Sequence, residues 1–205
     1  MRLFPSNLLR RTSKKRADHK RDRRLGVESL EDRCLLTIVS LNPVKDNTLF
    51  QSTTGSISSS AGNSIAVGQD HFVGLSMRGL MDFDVAGSVP AGATINSVTL
   101  TAWVNTTFAA TAPSVELHKV LTDWGEGASA PTGFMPPYGT SKTGDATWLH
   151  SFYPNQFWAT PGGDFSSTVS GAKVLGPATG TFTWSSTAQM VADVQAWLNN
   201  PGTNR

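Results

Sequence analysis

The chain has 205 residues, 16% of them charged and 39% hydrophobic, with a net charge of +2. That charge hides two opposed parts: residues 1–36 carry eleven Lys/Arg against five Asp/Glu, or +6, and residues 37–205 carry six against ten, or −4. So low a charge density excludes a coiled coil or a charge-driven disordered protein, and no apolar run nears the ~20 residues of a membrane-spanning helix. The length allows one sizeable core, which one all-β domain would use.

The leader, residues 1–41, opens with clustered Arg, Lys and His between Arg10 and Arg24. Such a block repels itself and cannot bury a core, so it is expected to be disordered. It fits a nucleic-acid arm, a tether to an anionic membrane or the positive region of an export signal. The acidic body offers no second basic face, which argues against nucleic acid as a partner. Leu30-Glu31-Asp32-Arg33-Cys34-Leu35-Leu36 resembles the L-E-x-R-x-L-L motif of large exported planctomycete surface proteins. That resemblance implies export to the cell surface or the extracellular space. The lone cysteine, Cys34, excludes an intramolecular disulfide framework and reads as an incidental thiol.

In the body, taken from residue 42, a strand is expected over 47–51, a Ser/Gly/Thr loop over 52–63 and a strand over 64–67. Two runs then alternate with period two. In 78–85, Met81, Phe83 and Val85 share one face, opposite Leu80, Asp82 and Asp84. In 98–104, Val98, Leu100, Ala102 and Val104 share a face opposite Thr99, Thr101 and Trp103. Successive strand side chains point to opposite sides, so both runs read as strands of an antiparallel sheet with one face on a core. Residues 86–96 supply the Gly and Pro of a turn between them. Residues 114–121 alternate again, with Val115, Leu117 and Leu121 inward and His118 toward solvent.

Residues 122–165 are the most unusual stretch. They hold Trp124, Trp148 and Trp158, both tyrosines and five of the eleven prolines. A connection this long is expected to be a binding loop, and aromatic rings on Pro-braced loops suit the C–H face of a sugar. The other reading of any single ring is a satellite core holding the loop down. Candidate ligand-binding residues are Trp124, Trp148, Tyr153, Trp158 and, from the neighbouring strand, Arg78. Asp123, Glu126, Asp145 and Asp164 read as surface or turn carboxylates. A Ca²⁺ ion held by such loop oxygens plus Asp46 is compatible chemistry with no Asp-x-Asp-x-Asp run behind it. No Gly-x-Ser-x-Gly elbow, phosphate loop or paired metal histidine is present, so no catalytic residue is assigned.

Residues 180–184 read as a strand and 185–198 as a short helix. Val191, Val194 and Leu198 lie on one stripe of it, with Trp197 beside them and a cap among Ser185 to Thr187.

Taken together, the body resembles the extracellular DNRLRE β-sandwich modules, which overlap carbohydrate-binding module family 96. The resemblance rests on Asp46-Asn47, Arg78 with Phe83-Asp84-Val85, the Val89–Ile95 turn and Ser97-Val98-Thr99-Leu100. It continues through the Thr122–Gly127 turn and Val191-Ala192-Asp193-Val194-Gln195-Ala196-Trp197-Leu198. The namesake hexapeptide is absent, and Asp82 stands where family members often carry Arg. The resemblance implies an all-β, jelly-roll-like antiparallel sandwich with one short C-terminal helix, after a disordered basic leader. It also implies that a further strand, which closes a sheet, follows the helix beyond Arg205. The function expected is non-catalytic binding of polysaccharide, acidic polysaccharide included. A structural or adhesive surface domain is the second reading, and a polysaccharide hydrolase or lyase the third.

Overall fold

Two antiparallel strands form the central ribbon. In the computed structural model, which describes residues 37–70, 74–107, 112–132 and 137–205, strand β1 (Lys45–Phe50) runs antiparallel to β4 (Ser76–Asp82), from Lys45 opposite Asp82 to Phe50 opposite Met77. The short β3 (Gly68–Gln69) adds to the other side of β4. Four further antiparallel pairs complete the strands. They are β2 (Ile57–Ser58) with β7 (Gly139–Thr140), β5 (Leu100–Val104) with β11 (Gly180–Trp184), β6 (Ser114–Val120) with β10 (Phe165–Val174), and β8 (His150–Phe152) with β9 (Gln156–Phe157). The helical pieces are α1 (Val85–Ser88), α2 (Ala188–Asn199) and a 3₁₀ turn (Pro201–Thr203). The architecture among the described residues is therefore strand-dominated, with antiparallel sheets and one helix of several turns. Among the described residues no helix is long and apolar enough to cross a membrane. Residues 1–36 of the leader, with the basic cluster, the L-E-x-R-x-L-L motif and Cys34, lie outside the described residues.

The core forms where β1 and β4 meet the long loop segment. Leu49, Leu80, Trp124, Ala146, Trp148 and Trp158 pack together, with Val120 and Leu149 against them. Residues Asn47 to Phe50 are all buried, so both faces of β1 are covered and its polar side chains need internal partners. Asn47 finds them: its amide donates to Ala146 O at 3.0 Å, and its Oδ1 accepts from Ser58 Oγ at 3.0 Å.

Several strand and helix details differ from the alternation pattern. The run expected as a strand to Val85 stops at Asp82, because the Asp84 side chain accepts from Gly87 N at 2.8 Å and caps α1. A short polar side chain that bonds nearby backbone competes with the ladder in this way. Leu80, and not Met81 or Phe83, is the core residue of β4. No strand forms over 64–67; there Ala66 N donates to Thr48 Oγ1, and a side chain replaces the ladder partner. Leu121 is 56% exposed, since β6 ends at Val120 and Leu121 N is taken by Asp164 O.

Helix α2 begins where its cap lies: Thr187 Oγ1 accepts from Met190 N at 3.0 Å. Its buried positions are Met190, Asp193 and Leu198 rather than the Val191–Val194 stripe. Asp193 can be buried because Ser170 Oγ donates to it at 2.6 Å, Gln189 Nε2 at 3.0 Å, and Lys119 Nζ lies 3.3 Å away. Gln195 ties the helix to the Pro-Ala-Gly turn, accepting from Ile95 N and donating to Ala93 O.

Candidate functional site

The 122–165 segment is not one bare loop, since β7, β8 and β9 punctuate it. What holds it in place is a buried polar hub. Asp145, fully buried, accepts from Ala128 N at 2.8 Å, Ser129 N at 3.2 Å, Lys142 N at 2.5 Å and Ser60 Oγ at 3.0 Å. One carboxylate thereby ties two loop backbones, at 128–129 and 142, to the Ser60 hydroxyl, so Asp145 is a structural residue and not the surface carboxylate expected. At Gly127 (φ +77°) a Cβ would fall 1.8 Å from its Oδ1, so only glycine fits beside it.

The rings then divide. Trp124 and Trp158 are 1% and 5% exposed, and Trp158 Nε1 donates to Thr147 O at 2.8 Å. Offered from sequence as sugar platforms, these two are core residues with no open face, because the loop has too few aliphatic side chains to anchor itself otherwise. Tyr153 packs edge-on against His150 in the β8–β9 hairpin, ring centroids 5.1 Å apart. His150 is a buried strand residue hydrogen-bonded to Thr147 Oγ1 at 2.9 Å, and burial lowers its pKa. His118 on β6 is part-buried, with Nδ1 2.8 Å from Ser166 O, rather than facing open solvent.

Trp148 and Arg78 do come together. The Arg78 Cζ lies 5.0 Å from the Trp148 ring centroid and 4.9 Å from that of Phe165, so the guanidinium stands between two aromatic rings. Its Nη1 donates to Gly162 O at 2.6 Å. Gly162 (φ +92°) permits the approach, since a Cβ there would lie 2.6 Å from Nη1 and 2.9 Å from Trp148 Cζ2. Burial lowers the Arg78 pKa, which leaves a guanidinium still charged in water. One Nη1–H is used and other N–H donors remain on a part-exposed fork.

Beside it runs a groove of about 430 Å³, lined by Leu121, Thr122, Ala159, Thr160, Gly163, Asp164 and Phe165. Asp164 is the groove's carboxylate. Burial works to raise its pKa, but the N–H groups of Ala159 and Thr160 and the hydroxyl of Thr122 outweigh this and hold it below the usual value. It therefore faces the groove as an anion positioned by three donors. Phe165, 39% exposed, contributes an aromatic wall. Sequence reasoning missed Phe165, Thr160 and Gly162. The signal available was that 159–165 places a Thr-Pro-Gly-Gly-Asp turn directly before an aromatic strand position.

The remaining carboxylates serve the frame. Asp123 Oδ1 accepts from Trp124 N at 2.9 Å and lies 3.4 Å from Lys45 Nζ, which also pairs with Asp82. Glu126 Oε1 accepts from Asp46 N, and the Asp46 pKa is raised by burial first and by Glu126 second. Among the described residues no three His, Cys, Asp or Glu side chains converge as a metal site.

Compared with known proteins, the chain matches no family model, no curated protein and no solved structure.

Proposed function

We propose that residues 38–205 form a non-catalytic polysaccharide-binding module of an exported or cell-surface protein. The observation that carries this reading is the Arg78 guanidinium held between Trp148 and Phe165 at the edge of the Asp164 groove. A pyranose presents a C–H face and a rim of hydroxyls. The C–H face suits the exposed Phe165 ring, while Asp164 and the Thr122 oxygen accept and Arg78 and the Thr160 hydroxyl donate. The free guanidinium donors equally suit a uronate or sulfate, which extends the ligand class to acidic polysaccharides. The resemblance to DNRLRE modules supports the same reading, as well as a jelly-roll arrangement of the sheets and the export implied by the leader motif.

The test is a thermal melt of the full chain against neutral and acidic polysaccharides, because a ligand that binds only the folded state raises the melting temperature. A shift for wild type that Phe165→Ala and Arg78→Ala each abolish is the expected result. No shift with any glycan, from a cooperatively melting protein, overturns the proposal.

A structural or adhesive role is the second reading. It is favoured by the burial of Trp124, Trp148 and Trp158, which spends most of the aromatic segment on holding loops together.

A further inference from the structure

A second surface, on different elements, has a different chemistry. The β5–β11 ribbon is amphipathic. Its inner face carries Leu100 opposite Trp184 and Ala102 opposite Phe182, with Trp184 buried and its Nε1 donating to Val115 O. Its outer face carries Thr101 and Trp103 on β5, opposite Thr183 and Thr181 on β11. Trp103 is 71% exposed, more than any other tryptophan whose exposure is resolved here. Thr101 Oγ1 and Thr183 Oγ1 are 3.0 Å apart and share a hydrogen bond, which ties the two hydroxyls together on the outer face. Side chains on one face of paired strands stand about 5 Å apart, so Trp103 and the three threonines form one continuous patch.

The segments that carry the patch are also uncharged. Residues 85–115 and 174–192, which contain both strands and their flanks, hold no Asp, Glu, Lys or Arg, although 37–205 holds sixteen. An acidic glycan, a nucleic acid or an anionic membrane would need cations here. A hydrophobic protein partner would match aliphatic neighbours around the indole, and the neighbours are hydroxyls. The chemistry left is an uncharged, hydroxyl-rich surface with flat apolar faces.

We infer that the Trp103–Thr101–Thr181–Thr183 face is a second binding surface, for neutral polysaccharide presenting the C–H faces of its pyranose rings to the indole. The threonine hydroxyls meet the sugar rim, and Trp103 provides the stacking plane. This surface is carried by residues separate from the Arg78 groove and does not depend on the groove binding anything.

The experiment is retention of the full chain on insoluble neutral polysaccharides (cellulose and chitin), with a soluble acidic polysaccharide followed in parallel. Trp103 is mostly exposed, so Trp103→Ala should melt like wild type. It should lower the affinity for the neutral matrix roughly tenfold, the loss expected of one stacked ring. Trp103→Phe should retain part of the binding, and Thr101→Val with Thr183→Val should weaken it while preserving strand shape. The loss of neutral retention caused by Trp103→Ala should be the same whether it is made in wild type or on top of Phe165→Ala, because the two surfaces share no residue. Three results would overturn the inference: wild type passing through the neutral matrices, Trp103→Ala retained as well as wild type, or Trp103→Ala abolishing self-association in place of retention. In each case acidic-glycan binding that is still lost on Phe165→Ala would leave the groove reading standing.

Discussion

Removing the Asp145 carboxylate is the sharpest test of how the loop segment is held. Asp145→Ala leaves Ala128 N, Ser129 N and Lys142 N without their acceptor, and Ser60 Oγ loses one of its partners. A buried donor left unpaired costs about 1–3 kcal/mol. Ser60 and Ser129 can re-pair with each other, being 3.1 Å apart at Oγ, and water can enter the vacated space. The net loss is then about 4 kcal/mol, a large part of the ~5–15 kcal/mol that stabilises an ordinary domain. For a body of this size that corresponds to roughly 8–16 °C in melting temperature. Asp145→Asn keeps the volume but aims an NH₂ at backbone N–H groups, so it should fall between wild type and alanine. The assay is equilibrium urea unfolding followed by tryptophan fluorescence, since Trp124, Trp148 and Trp158 share the adjoining core. A shift for Asp145→Ala of under about 1 kcal/mol would show that this carboxylate does not hold the loops, and the argument from its four donors would fail.

Other perturbations test neighbouring steps. Gly162→Ala places a methyl against Arg78 Nη1 and Trp148 in a left-handed backbone; it should cost about 2 kcal/mol in a melt and weaken glycan binding together with Arg78→Ala. Leu49→Ala empties a fully buried position and should destabilise by about 2–5 kcal/mol in urea unfolding, with the midpoint rather than the slope moving. Burial lowers the His150 pKa below 6.5, so the unfolded chain takes up its proton first as pH falls. The His150 contribution is therefore full above 6.5 and is lost as pH drops toward the folded value. His150→Gln should flatten the melting temperature between about pH 7 and 5 relative to wild type, and an unchanged slope would locate that acid sensitivity elsewhere. Asp164, also held low, adds a loss below 3.8, whereas Asp46, held high, contributes stability that is full below 3.8 and fades as pH rises.

How far the sequence could be read follows from the range of the interactions. β5 and β11 were legible because alternation is local, and the register Trp184 opposite Leu100 places each apolar row inward. The α2 cap was legible because Thr187 sits three residues before the N–H it binds. Leu80 was misplaced because its partners, Trp124 and Trp148, come from the loop segment, and no period within β4 records them. The polar hub was illegible for the same reason, and more severely. Ser60 reaches Asp145 across 85 residues and Asn47 reaches Ala146 across 99. A Ser-rich stretch whose hydroxyls are used inside the fold has the same composition as one facing water. The groove shares that character, since residues 121–122 and 159–165 meet only after the hub and core have placed them.

Burial of the tryptophans and exposure of the groove are linked. A long loop with a solvated backbone would leave a surface site mobile, and an Arg side chain carries roughly 2 kcal/mol of rotamer entropy that ligand binding would have to freeze. Here Trp158 and Trp124 anchor the segment from inside, and Trp148 completes the anchor while its ring flanks Arg78. Gly162 N donates to Trp148 O at 2.6 Å and Gly162 O accepts from Arg78, so the turn that walls the groove also holds the guanidinium. The entropy of fixing Arg78 is thus lost during folding and not during binding. A site built this way should respond to mutations under it almost as strongly as to mutations in it. Trp148→Leu, which keeps an apolar side chain but removes one wall of the Arg78 sandwich, should weaken acidic-glycan binding by more than its loss of stability explains. Measured well below the melting temperature, where all the protein is folded, an unchanged dissociation constant for Trp148→Leu would show that preorganisation of Arg78 plays no part.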